Sequence, residues 1–151
     1  MTGIADIALP YQKAFVNAPQ RRKIWLSSRQ VGKTFSLALI LCATALKQDN
    51  GLSLCISTGA KAASEIIMKC IQFARAVEVL TDGQLTFKSS FDSVRFSNGS
   101  RVMALPSSTD GANLRGWTVT GCVAIDEAAF IRNLDQIMQA IAPTLSRSRT
   151  A

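Results

Sequence analysis

The 151-residue sequence contains no histidine. That absence removes Ser-His-Asp and Cys-His mechanisms outright, and with them the usual histidine ligand of a zinc site. The four cysteines, at 42, 55, 70 and 122, form no CxxC pair and lie in apolar segments. They are expected as small core residues in a reducing compartment, not as a metal site or a disulfide framework. No apolar run approaches the ~18 residues needed to span a bilayer; the longest nearly unbroken one runs from Phe35 to Leu46. The opening MTGIADIALP has neither a basic stretch nor an apolar h-region, so no secretory leader is expected. Repeats, low-complexity tracts and Pro/Gly-rich linkers are also lacking. Acidic residues are few, ten against seventeen basic ones, for a net charge of +7. The resulting pI of about 9.7 suits a polyanionic partner without identifying one.

What is present is apolar enough to fold: 48% hydrophobic and 18% charged residues, which excludes a disordered chain. The length allows one domain, residues 1–151. A short helix is predicted over Pro10 to Asn17, with Pro10 at a first helical position. Arg22 to Leu26 reads as a strand ending in Ser27-Ser28. Lys33 to about Gln48 is a helix apolar nearly all round, hence buried on several sides. Asp49-Asn50-Gly51 ends it, and Leu52 to Ile56 follows as a buried strand. Ala60 to about Val79 has helical spacing, with Ile66, Ile67, Cys70, Ile71 and Ala74 on one face. Between Ser93 and Pro106, apolar alternations flank Ser97-Asn98-Gly99-Ser100, a strong hairpin signal. Val119 to Ile125 is a further strand, and Ile131 to Ile141 a last helix closed by Pro143. This alternation predicts an α/β fold with a largely parallel sheet.

The most informative residues are Ser27-Ser28-Arg29-Gln30-Val31-Gly32-Lys33-Thr34, between a strand and a helix. Gly-Lys-Thr is the end of a P-loop. Backbone N–H groups turned inward cradle phosphate oxygens, and glycine permits the turn. The unpaired amides of the following helix face the same anion. Lys33 then reaches the β- and γ-phosphates of ATP, and the Thr34 hydroxyl ligates Mg²⁺. Ser27 replaces the usual first glycine. The alternative, a polar loop with an N-capping serine, leaves unexplained a lysine at a helix end that favours acids.

About ninety residues downstream, the apolar run Cys122 to Ile125 ends in Asp126-Glu127, a Walker B pattern. Asp126 would hold Mg²⁺ opposite Thr34, and Glu127 would orient the water attacking the γ-phosphate. The alternative is a helix beginning with acids.

Together these residues resemble the ATPase domain of the terminase large subunit, the DNA-packaging motor of tailed bacteriophages and herpesviruses. SSRQVGKT is similar to that family's P-loop variant, Tyr11-Gln12 to its adenine-recognising Q motif, FSNGSRVMALP to its hairpin before Walker B, and LRGWTVTGCVAIDEAAF to its Arg-Gly approach to Walker B. The resemblance covers about residues 9 to 131. It implies a P-loop NTPase fold of the additional-strand class, with a mostly parallel sheet flanked by helices. It implies that Gln12 reads the adenine edge with Tyr11 beside it; an ordinary helix start is the other reading. Arg29 would contact the γ-phosphate in the same subunit. Arg115 would act as an arginine finger on a neighbour, or be a solvated loop arginine. Arg21-Arg22-Lys23 reads as a solvated run before the strand, or as a contact to DNA or a neighbour. The implied partners are double-stranded DNA, a portal protein, a small terminase subunit and further copies in a ring; the implied location is the host cytoplasm, transiently at the procapsid portal, with no membrane.

The resemblance also implies a strand after Walker B that inserts between the two Walker strands, and a nuclease domain. Neither is visible after Ile131, so the chain is expected to be a fragment, incomplete at its C-terminus, with no nuclease activity. Two rival readings are a helicase-like nucleic-acid ATPase, which needs a second domain and further arginine motifs, and a non-catalytic nucleotide-binding remnant.

Overall fold

The computed structural model describes residues 8–28, 30–108 and 117–147. Helix α1 (Pro10–Asn17) leads, through the loop ending at Gly32, to α2 (Lys33–Lys47). Strand β1 (Leu52–Ser57), helix α3 (Ala60–Leu80), strands β2 (Phe87–Ser89), β3 (Ser93–Phe96), β4 (Arg101–Pro106) and β5 (Val123–Ile125) and helix α4 (Leu134–Arg147) follow. The strands form one sheet in the order β2-β3-β4-β1-β5. It is parallel at β4-β1-β5 and antiparallel at β2-β3-β4, a mixed sheet.

Two cores cover it. On one face α2 and α3 bury Leu41, Cys42, Ile66, Cys70 and Phe73 against Val94, Val102 and Ala104. On the other, Ile137 and Ile141 of α4 join Leu54, Ile56, Met103 and Val119. Alternate residues of β1 and β4 therefore serve opposite cores. Cys42, Cys55 and Cys70 are buried, and all four cysteines are free thiols. Burial holds the Cys55 thiol well above its ordinary value, as inert core thiols require.

The hairpin turn forms at Asn98-Gly99, where Gly99 takes φ +80°. The Asn98 side chain locks it: its amide donates to the Ala45 carbonyl at 3.0 Å, and its oxygen accepts from Ser100 N–H and Oγ at 3.1 and 2.6 Å. The short edge strand β2 is an addition to the elements predicted from sequence.

Four expectations need correction. Arg22 to Leu26 is not a strand of the sheet; Ile24 and Leu26 are 96% and 95% exposed. The segment is held by α1 instead. Trp25 packs on Phe15 and Tyr11, with ring centroids 4.7 and 6.2 Å apart, and the Lys23 ammonium donates to the Phe15 and Val16 carbonyls at 3.2 and 3.0 Å. Lys23 is thus a cap on the end of α1, not a member of a solvated run. The strand before the acidic pair is short, Val123–Ile125, with Val119 buried ahead of it. Lastly, α4 runs through Pro143: a proline removes one N–H donor, and its fixed φ is compatible with a helix that accepts that loss.

Candidate nucleotide site

The loop Ser27 to Thr34 lies where α2 begins. Gly32 takes φ +75° as the N-terminal cap of α2, a left-handed conformation that a Cβ penalises. Space forbids one as well, because a side chain there would run into the Gln12 amide nitrogen. Gln12 is buried and its amide is fully engaged by the chain: its nitrogen donates to the Val31 and Gly32 carbonyls at 3.3 and 3.4 Å, and its oxygen accepts the Leu9 N–H at 2.9 Å. The Tyr11 hydroxyl donates to the same Val31 carbonyl at 3.1 Å. Residues that resembled an adenine-reading motif therefore grip the phosphate loop from behind in this conformation. The bond from the Leu9 N–H to the Gln12 side-chain oxygen, between the residue before the helix and N3 of α1, is the reach-back half of a capping box.

Lys33 turns its ammonium onto the Ser27 and Ser28 carbonyls at 3.1 and 2.9 Å. The Ser27 hydroxyl is buried without a partner, and Gln30 takes φ +62°, so the loop carries both an orphaned donor and backbone strain of the kind that collects at ligand sites. Asp126 lies just past β5. Its N–H donates to the Ile56 carbonyl at 2.8 Å, extending the ladder one residue beyond the strand, and its side chain is buried. Glu127 follows at φ +51°, a rare conformation for a non-glycine residue. Burial pushes the Asp126 carboxyl above its ordinary value, and the Glu127 charge adds to that. The Glu127 backbone N–H and the Lys33 charge pull it back.

Gln30, Gly32, Lys33, Thr34, Phe35, Asp126 and Glu127 line one cleft of about 620 Å³. The structure thus brings together the loop and the acidic pair predicted from sequence. Arg29 and Arg115 lie outside the described residues. Two lining residues were missed: Phe35 of α2, just past the predicted loop, and Lys69 of α3. The only trace of the latter in the sequence is a lysine between core positions 66, 67 and 70, and nothing local says which side of α3 meets the loop. The Phe35–Phe73 ring contact, 4.9 Å between centroids, brings α3 alongside the start of α2.

A hydroxyl, an adjacent pair of carboxylates, a lysine and a helix N-terminus suit a magnesium–polyphosphate ligand. Mg²⁺ is typically bound by one or two protein groups plus phosphate and water, so Thr34 and Asp126 fit that ion. A loop opening a helix at the edge of a sheet, with acids at the end of a neighbouring strand, defines the class: a P-loop α/β fold. Comparison with known proteins specifies it further. Residues 24–151 match the model for the terminase large subunit, T4likevirus-type, N-terminal, and the chain belongs to that family. It is 30% identical over 148 residues to the probable terminase large subunit gp28 of Escherichia phage Mu, covering 89% of this chain and 26% of that protein. It is 31% identical over 146 residues to the Mu-like prophage FluMu protein gp28 of Haemophilus influenzae, covering 89% of this chain and 28% of that one. The chain therefore spans about a quarter of the length of these relatives. The fold matches the large terminase ATPase domain of Thermus phage P74-26 with a TM-score of 0.77 at 21% identity, over 90% of this chain and 59% of that one. A mutant of the same domain matches with a TM-score of 0.68 at 18% identity, over 80% of this chain and 53% of that one.

Proposed function

We propose that the chain is the ATP-hydrolysing part of a viral DNA-packaging terminase, coupling hydrolysis to translocation of double-stranded DNA into a capsid. One observation carries the reading: Lys33 and Thr34 share a cleft with Asp126 and Glu127 from the far side of the sequence. In this reading the loop amides and Lys33 bind the phosphates, with the Lys33 ammonium exchanging its loop carbonyls for phosphate oxygen. Thr34 and Asp126 would hold Mg²⁺, which supplies neutralisation of phosphate charge. Glu127 orients the attacking water and accepts its proton. Arg29 acts on the γ-phosphate in cis. Arg115 acts in trans, a role suited to an always-charged group that can meet two phosphate oxygens. The partners proposed are DNA, a portal protein, a small terminase subunit and further copies in a ring, in the host cytoplasm and at the procapsid portal. Among the described residues no helix is long and apolar enough to cross a membrane.

The test separates binding from turnover. Lys33→Ala should remove most affinity for Mg-ATP, read by a fluorescent nucleotide, and all turnover. Glu127→Gln should keep binding and lower the hydrolysis rate by about 10²–10⁴. Equal binding defects in both variants would refute the two assignments. A second reading, nucleotide binding without turnover by these 151 residues alone, is favoured by the segment Arg22 to Leu26, which enters the loop with no sheet partner. Binding without hydrolysis in the unsubstituted chain would select it.

A further inference from the structure

The register of the antiparallel edge places three cations in a row. Lys88 of β2 is opposite Arg95 of β3, and Arg95 is opposite Arg101 of β4. Residues opposite one another point to the same face of the sheet. That face is the one α4 covers, as Met103, two residues on from Arg101, belongs to the α4 core. The α4 core reaches β1 and β4, while Lys88 and Arg95 remain exposed. Like charges directly opposite each other destabilise a sheet. Among the described residues, no hydrogen bond or ion pair engages the side chain of Lys88 or Arg95. An edge strand needs a single charge to discourage pairing with other chains, and a matched row across three strands exceeds that need.

The inner end of the row is held in place. Arg101 lies over the Trp117 ring at 5.9 Å and donates to Ser93 Oγ at 3.1 Å. Ser93 Oγ is 2.8 Å from Ser90 Oγ, which donates to Asp92 at 2.7 Å. The nearby carboxylate is thus tied to Ser90 and reaches the row only through two hydroxyls.

We infer that Lys88, Arg95 and Arg101 form a docking surface for the phosphate backbone of duplex DNA. Two strand spacings make the row about 10 Å long, enough to follow a short stretch of one strand's phosphates. Charges of one sign, spaced across the antiparallel edge of the sheet, position a backbone and read no bases. The choice of DNA as the polyanion rests on the packaging reading proposed above; the surface rests on the strand register.

The experiment is duplex-DNA affinity of the protein against salt concentration. Lys88→Gln with Arg95→Gln removes two contacts, so the slope of log K against log salt should fall in magnitude by about 1.8, at about 0.9 per phosphate. Affinity at low salt should fall about tenfold or more. The charge-conserving pair Lys88→Arg with Arg95→Lys should keep the parent slope. Lys47→Gln with Arg75→Gln, an equal loss of charge at two other exposed positions, should also leave it close to the parent. Thermal stability of the first pair should hold or rise, because repulsion is relieved. An unchanged slope in Lys88→Gln with Arg95→Gln, or an equal drop in the Lys47/Arg75 control, overturns the surface. Tighter binding of a single strand than of the duplex overturns the duplex assignment. Nucleotide binding by the unsubstituted protein is measured alongside: its absence, with the expected fall in slope still seen, counts against the ATPase reading and leaves the surface standing.

Discussion

Asp126 shows how a single side chain carries opposing demands. Taking its carboxyl out of water disfavours the charge that a metal site needs. Because the folded-state value is raised, the folded protein holds the proton more tightly than the unfolded chain does. Stability from this group is then greatest below the ordinary aspartate value and is lost as pH rises through the raised folded value. Asp126→Asn should therefore be more stable than the parent at pH 7, with the gap narrowing as pH falls toward 4. Urea midpoints across that range decide it, and a gap that stays constant down to pH 4 would contradict the assignment. Lys33, beside it, lowers the Asp126 value only in part. The two-carboxylate pair was legible in the sequence as an apolar run ending in acids. Burial of one acid was not, because it depends on β1 lying alongside.

Among the elements, the β3–β4 hairpin is the most self-determined, and its turn is also welded to a helix. Asn98 uses one side chain to close the turn and to hold the end of α2 through the Ala45 carbonyl. Asn98→Ala should cost about 1–3 kcal/mol, since it strands a helix carbonyl and two turn donors. Nucleotide affinity should be unchanged, as the turn is absent from the lining of the cleft. Paired chemical denaturation and nucleotide titration check both halves, and a loss of affinity at full stability would mean that the hairpin communicates with the site. Asn-Gly announced the turn locally. The partner carbonyl on α2, fifty-three residues away, had no local sign.

For the molecule as a whole, β5 is the last strand of the sheet among the described residues, and Ile24 and Leu26 stand in solvent beside the loop that leads into α2. Exposed large apolar side chains in one segment favour association. Ile24→Ser with Leu26→Ser in the 151-residue protein should change unfolding free energy by less than about 0.5 kcal/mol and reduce light scattering on concentration. A clear loss of stability would show these residues to be packed in solution.

The sequence by itself determined what repeats or turns within a few residues: the amphipathic period of α3, the proline-led α1, the Asn98-Gly99 turn, the Gly32-Lys33-Thr34 helix entry and the acids ending an apolar run. Each rests on contacts between near neighbours along the chain, so each is written in the order of residues. Tertiary structure alone decided that Arg22 to Leu26 sits against α1, that Lys69 enters the cleft, that Gln12 clasps the phosphate loop, and that Lys88, Arg95 and Arg101 align. The physical reason is that a strand's hydrogen-bonding groups accept any neighbour of suitable register. Which neighbour they meet is settled by how the layers pack, and a pattern read along one segment carries no record of it.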